Sequence, residues 1–484
     1  MNVIKVWKDI KNMGNNLVIK KAISGIKFTF FSQMLVLILG VVKSFVLPKI
    51  LSIPDYGYWQ VYVLYSTYVG MLCLGYNDGI YLKYGKNQYD ELPANVLRSS
   101  NRYYILMLVF FTVIATGLSL LVADGNRCIA LFAVSIDIIL LGISGMLISV
   151  LQITNQIKAY SFYTVLDKVI LLIAIVIIGC MRERKFYWVV WADVFSKAVV
   201  MIALLFRCRT LFWGKGTTRK CALEEFISNI KIGISLMVAN LMGMFVTGIG
   251  RFIVDSIGNI EEYAFYSFAI SITNLVLVFI SSVSLVLYPT LKRLPENNYG
   301  LYFEKLCFAV RMFNFVALFA YFPAVPLIKV FLPNYLPILN YIHFLFGVIV
   351  LQAKMQLLNN TFYKALRQEK ALMRENMSCV IIFLVIAGVS YSIVHDISAI
   401  AFSTFFAMLY RCYASEVFIR RKMQLKVSKS IFLEVLYIIL YVFILSFLDF
   451  LPAMFLYGFL FLLFFVLSWS ELKKIFGEIR KGVL

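Results

Sequence analysis

The chain has 484 residues, 62% of them hydrophobic and 15% charged, with a formal net charge of +21 and a mean hydropathy of +0.86. Soluble domains carry roughly 45–50% apolar residues, and here the few charges gather in short clusters between long apolar runs, which excludes a soluble fold and puts the chain in lipid. The basic excess would suit nucleic acid only on an exposed polar domain bearing stacking aromatics, and no stretch is long and polar enough to form one.

The N-terminal segment, with Lys5, Lys8, Lys11, Lys20 and Lys21, resembles the charged start of a signal peptide. The apolar run from Phe28 is too long for one and lacks an Ala-x-Ala cleavage pattern, so it is expected to stay as the first helix. Runs of about 20 apolar residues, enough to cross hydrocarbon, lie near 26–47, 58–80, 103–123, 128–152, 161–180 and 186–206. A polar connection from Arg207 to Asn229 follows, and further runs lie near 230–254, 262–288, 306–331, 337–358, 377–395, 397–418, 431–449 and 452–469. The expected fold is an all-α polytopic membrane protein with about fourteen transmembrane helices. Its expected parts are an N-terminal lobe over 1–206, a cytoplasmic linker over 207–229, a C-terminal lobe over 230–418, and two further helices with a cytoplasmic tail over 419–484.

Lys and Arg favour cytoplasmic loops. With the N-terminus inside, the cytoplasmic segments hold 31 basic residues, the Arg420–Lys429 loop among them, against 7 outside, where Arg182, Arg184 and Lys185 are the one local departure. Both termini are therefore expected in the cytoplasm. Aromatic residues at span ends, such as Trp59, Tyr103, Trp188 and Trp469, read as an interfacial belt.

The two sides of the linker repeat each other. Ser52-Ile53-Pro54-Asp55-Tyr56-Gly57-Tyr58 aligns with Asn259-Ile260-Glu261-Glu262-Tyr263-Ala264-Phe265 at an offset of 207, and Ile26-Lys27 with Ile230-Lys231 at 204. Six helices per half is an even number, so the halves enter the membrane in the same direction. A parallel repeat of this kind is expected to put a substrate path between its halves.

Eight basic residues fall inside the spans or at their edges: Lys27, Lys43, Lys168, Lys197, Lys231, Arg311, Lys354 and Arg411. A charge at a helix centre costs roughly 2.5–3.5 kcal/mol on insertion scales, so those nearest the centre need a reason. Lys197 follows Asp193 by four residues, the spacing of a structural ion pair on one helical face. Asp167 and Lys168 diverge by about 100° around the helix, so each is expected to need a partner elsewhere, which Asp137 could supply. Lys27, Lys231, Arg311, Lys354 and Arg411 would line a cationic inner vestibule, with Arg311 and Lys354 holding a pyrophosphate and Lys43 and Arg251 receiving it nearer the outer face. Arg captures phosphate oxygens two at a time and Lys acts as a point charge. The alternative for Lys27 and Lys231 is snorkelling to headgroups; for the others it is local pairing. Pro323 and Pro326 inside the ninth span are expected to kink or break it.

No Gly-x-x-x-x-Gly-Lys-Ser/Thr loop is present, no two of the eight cysteines share a zinc or redox spacing, and only His343 and His395 occur as histidines. No cofactor or metal is expected, and transport would draw on a gradient or a partner. The longest expected external loop is about a dozen residues, which argues against a membrane polysaccharide polymerase.

Several segments carry a family resemblance. Leu47-Pro48-Lys49-Ile50-Leu51 with Ile53-Pro54-Asp55-Tyr56-Gly57-Tyr58-Trp59, the stretch Gly75-Tyr76-Asn77-Asp78-Gly79-Ile80-Tyr81-Leu82-Lys83-Tyr84-Gly85, Tyr288-Pro289, and Pro326 to Tyr335 resemble the polysaccharide-transporter branch of the multidrug/oligosaccharidyl-lipid/polysaccharide exporter superfamily. The resemblance spans the first twelve helices. It implies a two-lobed flippase of the bacterial cytoplasmic membrane, not an enzyme, that moves polyprenyl-pyrophosphate-linked oligosaccharide, an O-antigen or capsule repeat unit, from the cytoplasmic to the outer leaflet by alternating access. Membrane lipid, a polysaccharide polymerase and glycosyltransferases are the implied partners. Asp78, inside the matched stretch, joins the expected site residues, with a helix cap as its other reading. A multidrug exporter or a peptidoglycan-precursor flippase of the same superfamily is the alternative.

Overall fold

The computed structural model describes residues 17–85, 87–272, 299–427 and 429–467. Every regular element among them is helical. In chain order α1 is Leu17–Ile50, α2 Ile53–Tyr68, α3 Tyr76–Tyr84, α4 Ala94–Leu120, α5 Gly125–Ile153, α6 Ile157–Cys180, α7 Phe186–Arg207 and α8 Arg219–Ile257. Then come α9 over 260–272, α10 Tyr299–Leu318, α11 Tyr321–Phe331, α12 Ile342–Lys354, α13 Asn360–Ala365, α14 Glu369–Val394, α15 Ser398–Lys422, α16 Lys429–Phe447 and α17 Phe450–Leu467. Among the described residues nine helical stretches are long and apolar enough to cross a membrane, and the helices follow the expected spans. The eighth span, expected near 262–288, is described only to residue 272.

Two compact units divide the chain, residues 28–275 and residues 1–27 with 276–484. By sequence α8 and α9 go to the second lobe; here they group with the helices of the first half. The first unit is arranged around α5 and the second around α12 and α13, whose spans are the most enclosed, 61% and 83% buried. These are the fourth span of each half, as a repeat requires.

Local chemistry sets the element ends. Ser52 caps α2 by accepting from the Asp55 amide, with Pro54 in the first turn where its missing N–H is not needed. Its repeat partner Asn259 opens α9 with a reciprocal box: the Asn259 amide donates to Glu262 Oε2 at 3.0 Å and the Glu262 amide to Asn259 Oδ1 at 2.8 Å. The repeat seen in the sequence is thus a shared helix start. The ninth span breaks as expected: α10 ends at Leu318 and α11 begins at Tyr321, ahead of Pro323 and Pro326, which cannot donate to carbonyls four residues back.

The Gly75–Gly85 stretch has a packing explanation. A 3₁₀ turn, Val69–Cys73, ends in left-handed Leu74 and Gly75 (φ 47° and 79°), which start α3 in a new direction. A Cβ on Gly79 would collide with the main chain of Asn229, and one on Gly233 with the carbonyl oxygen of Gly75. Helices α3 and α8 therefore touch backbone to backbone, the approach that small residues permit where lipid supplies no hydrophobic drive. Tyr76 stacks on Tyr104 with ring centroids 4.3 Å apart and donates to Asn101 Oδ1 at 2.9 Å, tying α3 to α4.

Gly233→Leu is expected to force α3 and α8 apart and to lower the thermal midpoint of the purified protein in detergent. Overpacking of this kind costs about 1–3 kcal/mol. Gly117→Ala, where an added Cβ meets nothing within 4 Å, should leave the midpoint unchanged or slightly higher. Equal midpoints for the two variants would contradict the close approach.

Candidate functional site

In the unit of residues 1–27 and 276–484, buried charges from four helices converge. Lys354 ends α12, and its ammonium lies 2.6 Å from Glu434 Oε2 on α16 and 2.7 Å from Glu416 Oε2 on α15, with all three side chains fully enclosed. It also sits 4.5 Å from the centroid of the Tyr413 ring. Arg311 on α10 donates through Nη2 to Ser430 Oγ at 2.7 Å, and its Nε lies 3.5 Å from Glu434 Oε2. Arg420, one turn after Glu416, donates through Nε to Glu416 Oε1 at 3.0 Å and reaches Glu304 at 3.8 Å. Directly after Lys354 the helix widens into a π-helical turn, Met355–Asn359, where Asn359 Nδ2 donates to the Cys412 carbonyl at 2.8 Å. Such π insertions are frequent at functional positions.

Three cations thus share two buried carboxylates. Arg411, 2% exposed, adds a fourth positive charge: its Nε donates to Asn376 Oδ1 at 2.8 Å and its Nη1 to Gln352 Oε1 at 3.4 Å, both neutral acceptors. Buried ions need compensation, and removing one partner of a buried pair costs several kcal/mol. Among the described residues Arg411 meets no carboxylate.

The unit of residues 28–275 holds two further polar centres. In one, Lys197 on α7 lies 2.6 Å from Asp137 Oδ2 on α5 and 2.7 Å from Asp193 Oδ2, and donates to Tyr62 OH at 2.9 Å. The Asp193–Lys197 pair is as expected from its spacing. Asp137 pairs with Lys197 and not, as expected, with Asp167 or Lys168; those two bond each other at 2.6 Å, because long flexible side chains bridge the angle between adjacent residues. The field of Lys43 reaches Asp193, and its ammonium stands 5.8 Å from the Trp59 ring centroid. In the other centre Arg251 on α8, 8% exposed, donates through Nη2 to Gln60 Oε1 on α2 at 2.9 Å and to Tyr263 OH on α9 at 3.2 Å.

Of the expected site residues, Arg311 and Lys354 are brought together, with Glu434 between them. Lys43 and Arg251 belong to separate centres of the other unit. Lys231 is exposed on α8, and Asp78 is half-buried in the first turn of α3, where a negative charge suits the helix dipole. The backbone of Lys27 is part of α1; its side chain lies outside the described residues. Arg420, assigned by sequence to a loop, is 2% exposed within α15, because that helix runs on to Lys422.

Residues 86–335, just over half of the chain, match the family described as polysaccharide biosynthesis protein. The chain belongs to that family. The matched part carries Lys231, Arg251 and Arg311; Lys27, Lys43, Asp78 and Lys354 fall outside it. No curated protein matches this family member. Among solved structures its fold is similar to that of the lipid II flippase MurJ in an inward closed conformation, with a TM-score of 0.68 and 12% identity over 93% of this chain and 99% of that one. It is also similar to an outward-facing multidrug resistance MATE family transporter of the MOP superfamily, with a TM-score of 0.56 and 12% identity over 83% and 95% of the two chains, and to the MATE multidrug transporter DinF-BH, with 0.56 and 14% over 84% and 96%. The family member is a multi-pass membrane protein whose fold is similar to that of these solved structures.

Sequence reasoning missed Glu416, Glu434 and Gln60. The two glutamates were legible as lone acids inside apolar runs, Ala414-Ser415-Glu416-Val417-Phe418 and Ile431-Phe432-Leu433-Glu434-Val435, had embedded acids been weighed like embedded bases. Gln60 carries no such signal, since a neutral amide inside a span is common.

Lys197→Met should leave Asp137 and Asp193 buried without their cation and lower stability by about 3–5 kcal/mol. Lys168→Met removes an ammonium that is 43% exposed and should cost no more than about 1 kcal/mol. Thermal midpoints of the two variants check this, and the double variant Lys197→Met, Asp137→Asn should recover part of the loss.

Proposed function

We propose that the protein is a flippase that carries a polyprenyl-pyrophosphate-linked oligosaccharide, an O-antigen or capsule repeat unit, from the cytoplasmic to the outer leaflet of the bacterial cytoplasmic membrane by alternating access. Both termini then face the cytoplasm, membrane glycosyltransferases supply the substrate and a polymerase consumes it. The observation that carries the reading is Arg411, a buried cation in the same unit as Lys354 that meets only neutral acceptors among the described residues, Asn376 Oδ1 and Gln352 Oε1 among them. Uncompensated charge away from water is expensive, and a diphosphate head group supplies the missing anion at the depth where these residues lie. The polyprenyl chain stays in the bilayer while the head group passes the basic side chains. Membership of a polysaccharide biosynthesis family and likeness in fold to a lipid flippase support the same class of cargo, and both favour a transporter over an enzyme.

A cationic drug would need unpaired carboxylate. Asp137 and Asp193 both pair with Lys197, and Glu416 and Glu434 both pair with Lys354, so each of these buried carboxylates already holds a cation. The peptidoglycan precursor shares the same head group, and the identity of the lipid that accumulates separates it from a surface-glycan precursor.

In cells that lack this protein and retain the glycosyltransferases, the lipid-linked oligosaccharide should accumulate on the cytoplasmic leaflet and surface polysaccharide should be lost. Complementation with Arg311→Gln or Lys354→Gln should restore about a tenth or less of surface polysaccharide at equal membrane expression, as loss of a charge contact worth about 2–5 kcal/mol requires, whereas Lys354→Arg should restore more. Full restoration by both glutamine variants would remove the site. Normal glycan export with altered drug sensitivity would replace the reading with drug export.

A further inference from the structure

The two sequence repeats meet at one arginine. At the repeat offset of 207, Tyr56 corresponds to Tyr263 and Gln60 to Ser267, and all four surround Arg251. The guanidinium donates to the Gln60 side-chain oxygen at 2.9 Å, the Gln60 main-chain carbonyl at 3.2 Å and Tyr263 OH at 3.2 Å through Nη2, and to Ser267 Oγ at 3.3 Å through Nε. Tyr263 OH donates to the same Gln60 carbonyl at 3.0 Å, and the Gln60 amide donates to Tyr56 OH at 2.6 Å and Ser271 Oγ at 3.3 Å. Beside this centre a Cβ on Gly57 would lie 2.6 Å from the Ile260 carbonyl oxygen, so α2 and α9 touch through their backbones.

Arg251 has no carboxylate partner among the described residues. Asp255, one turn away, is taken by Arg127 and by Tyr65 OH at 2.9 Å. A buried guanidinium whose acceptors are all neutral is weakly held compared with one facing an anion, since charge-assisted bonds are about twice as strong and Arg binds phosphate oxygens in pairs. Gln60 and Ser267 each lie two turns inside their helices, about 10 Å from the helix starts, at the end that the distribution of basic residues puts outside.

We propose that Arg251, Gln60 and Tyr263 form an outer latch that holds the first-half helix α2 to the second-half helices α8 and α9, and that the diphosphate of the cargo opens it by taking Arg251 from Gln60. This rests on the flippase reading. Opening then parts α2 from α9 only when an anion is present to receive the arginine, which couples exit to cargo.

The test uses the full chain in nanodiscs with Cys128, Cys180 and Cys221, the three cysteines that are not buried, replaced by serine and Ala264→Cys as reporter. Ala264 is fully buried one helical turn after Ile260, whose carbonyl approaches Gly57 of α2, so a membrane-impermeant maleimide is expected to reach that position only when the helices part. Farnesyl diphosphate is the probe and farnesol the control. The expected result is about tenfold faster labelling with farnesyl diphosphate and none with farnesol, the population change for one or two hydrogen bonds to a charged group. Gln60→Leu should label fast without ligand. Gln60→Glu, which gives Arg251 a carboxylate, should label slowly with or without it, and Tyr263→Phe should fall between the parent and Gln60→Leu. Slow labelling of Gln60→Leu and Tyr263→Phe would overturn the latch. Farnesyl diphosphate that raises the thermal midpoint through Lys354 but leaves labelling unchanged would overturn the trigger alone; a probe that shifts nothing in any variant would overturn the flippase reading and the trigger with it.

Discussion

A charge withdrawn from water inside a helix bundle has to be met by side chains from other helices, and that requirement organises both units. In residues 28–275 the central helix α5 contributes Asp137, and Lys197 from α7 with Tyr62 and Ser66 from α2 close around it. In the other unit the central helix α12 contributes Lys354, and α10, α15 and α16 bring Arg311, Glu416, Arg420 and Glu434 to it. The fourth span of each half thus carries a charge of opposite sign. Breaking one partner of such a set leaves a stranded ion, so each cluster fixes which helices are neighbours even where its net contribution to stability is small.

Between the charged centres, packing depends on what is absent. Lipid is as apolar as leucine, so helices gain little by burying leucine against one another and gain more by close approach. Gly75, Gly79 and Gly233 let α3 and α8 meet main chain to main chain, and Gly57 does the same for α2 and α9. Both contacts join helices assigned by sequence to different halves. The grouping of α8 and α9 with the first-half helices follows from these contacts, and it is invisible to any reading that takes the linker at 207–229 as a structural boundary.

Span positions, helix class and repeat were legible because each rests on a property that accumulates along the chain: hydropathy over about 20 residues, or a seven-residue match such as Ser52–Tyr58 with Asn259–Phe265. Charged centres were legible in part. Asp193 and Lys197 share one helix and their spacing gives the pair directly, whereas Lys354 with Glu434 is separated by 80 residues and only a fold brings them together. Lys168 shows the limit of the angular argument, since backbone directions about 100° apart do not keep two flexible side chains from meeting. Gly79 was legible as a motif and illegible as a cause until α8 was seen lying against it.

The two ways of holding a buried cation have different consequences for a carrier. Arg251 and Arg411 rest on amide, hydroxyl and carbonyl oxygens, which a phosphate displaces readily because it brings a full negative charge. Lys354 rests on two carboxylates, which a phosphate cannot displace unless they too remain compensated. Arg420 stays bonded to Glu416 and Arg311 stays close to Glu434, so if Lys354 turned toward a diphosphate neither glutamate would be left as an isolated buried anion. Redundant pairing of this kind lowers the barrier to exchanging one partner of a buried ion, because the expensive intermediate, a lone charge in low dielectric, never has to form. A single Lys–Glu pair would stabilise the bundle as well, but it could not pass an anion without that intermediate; under the proposed function the shared network is what would let the central cation exchange partners.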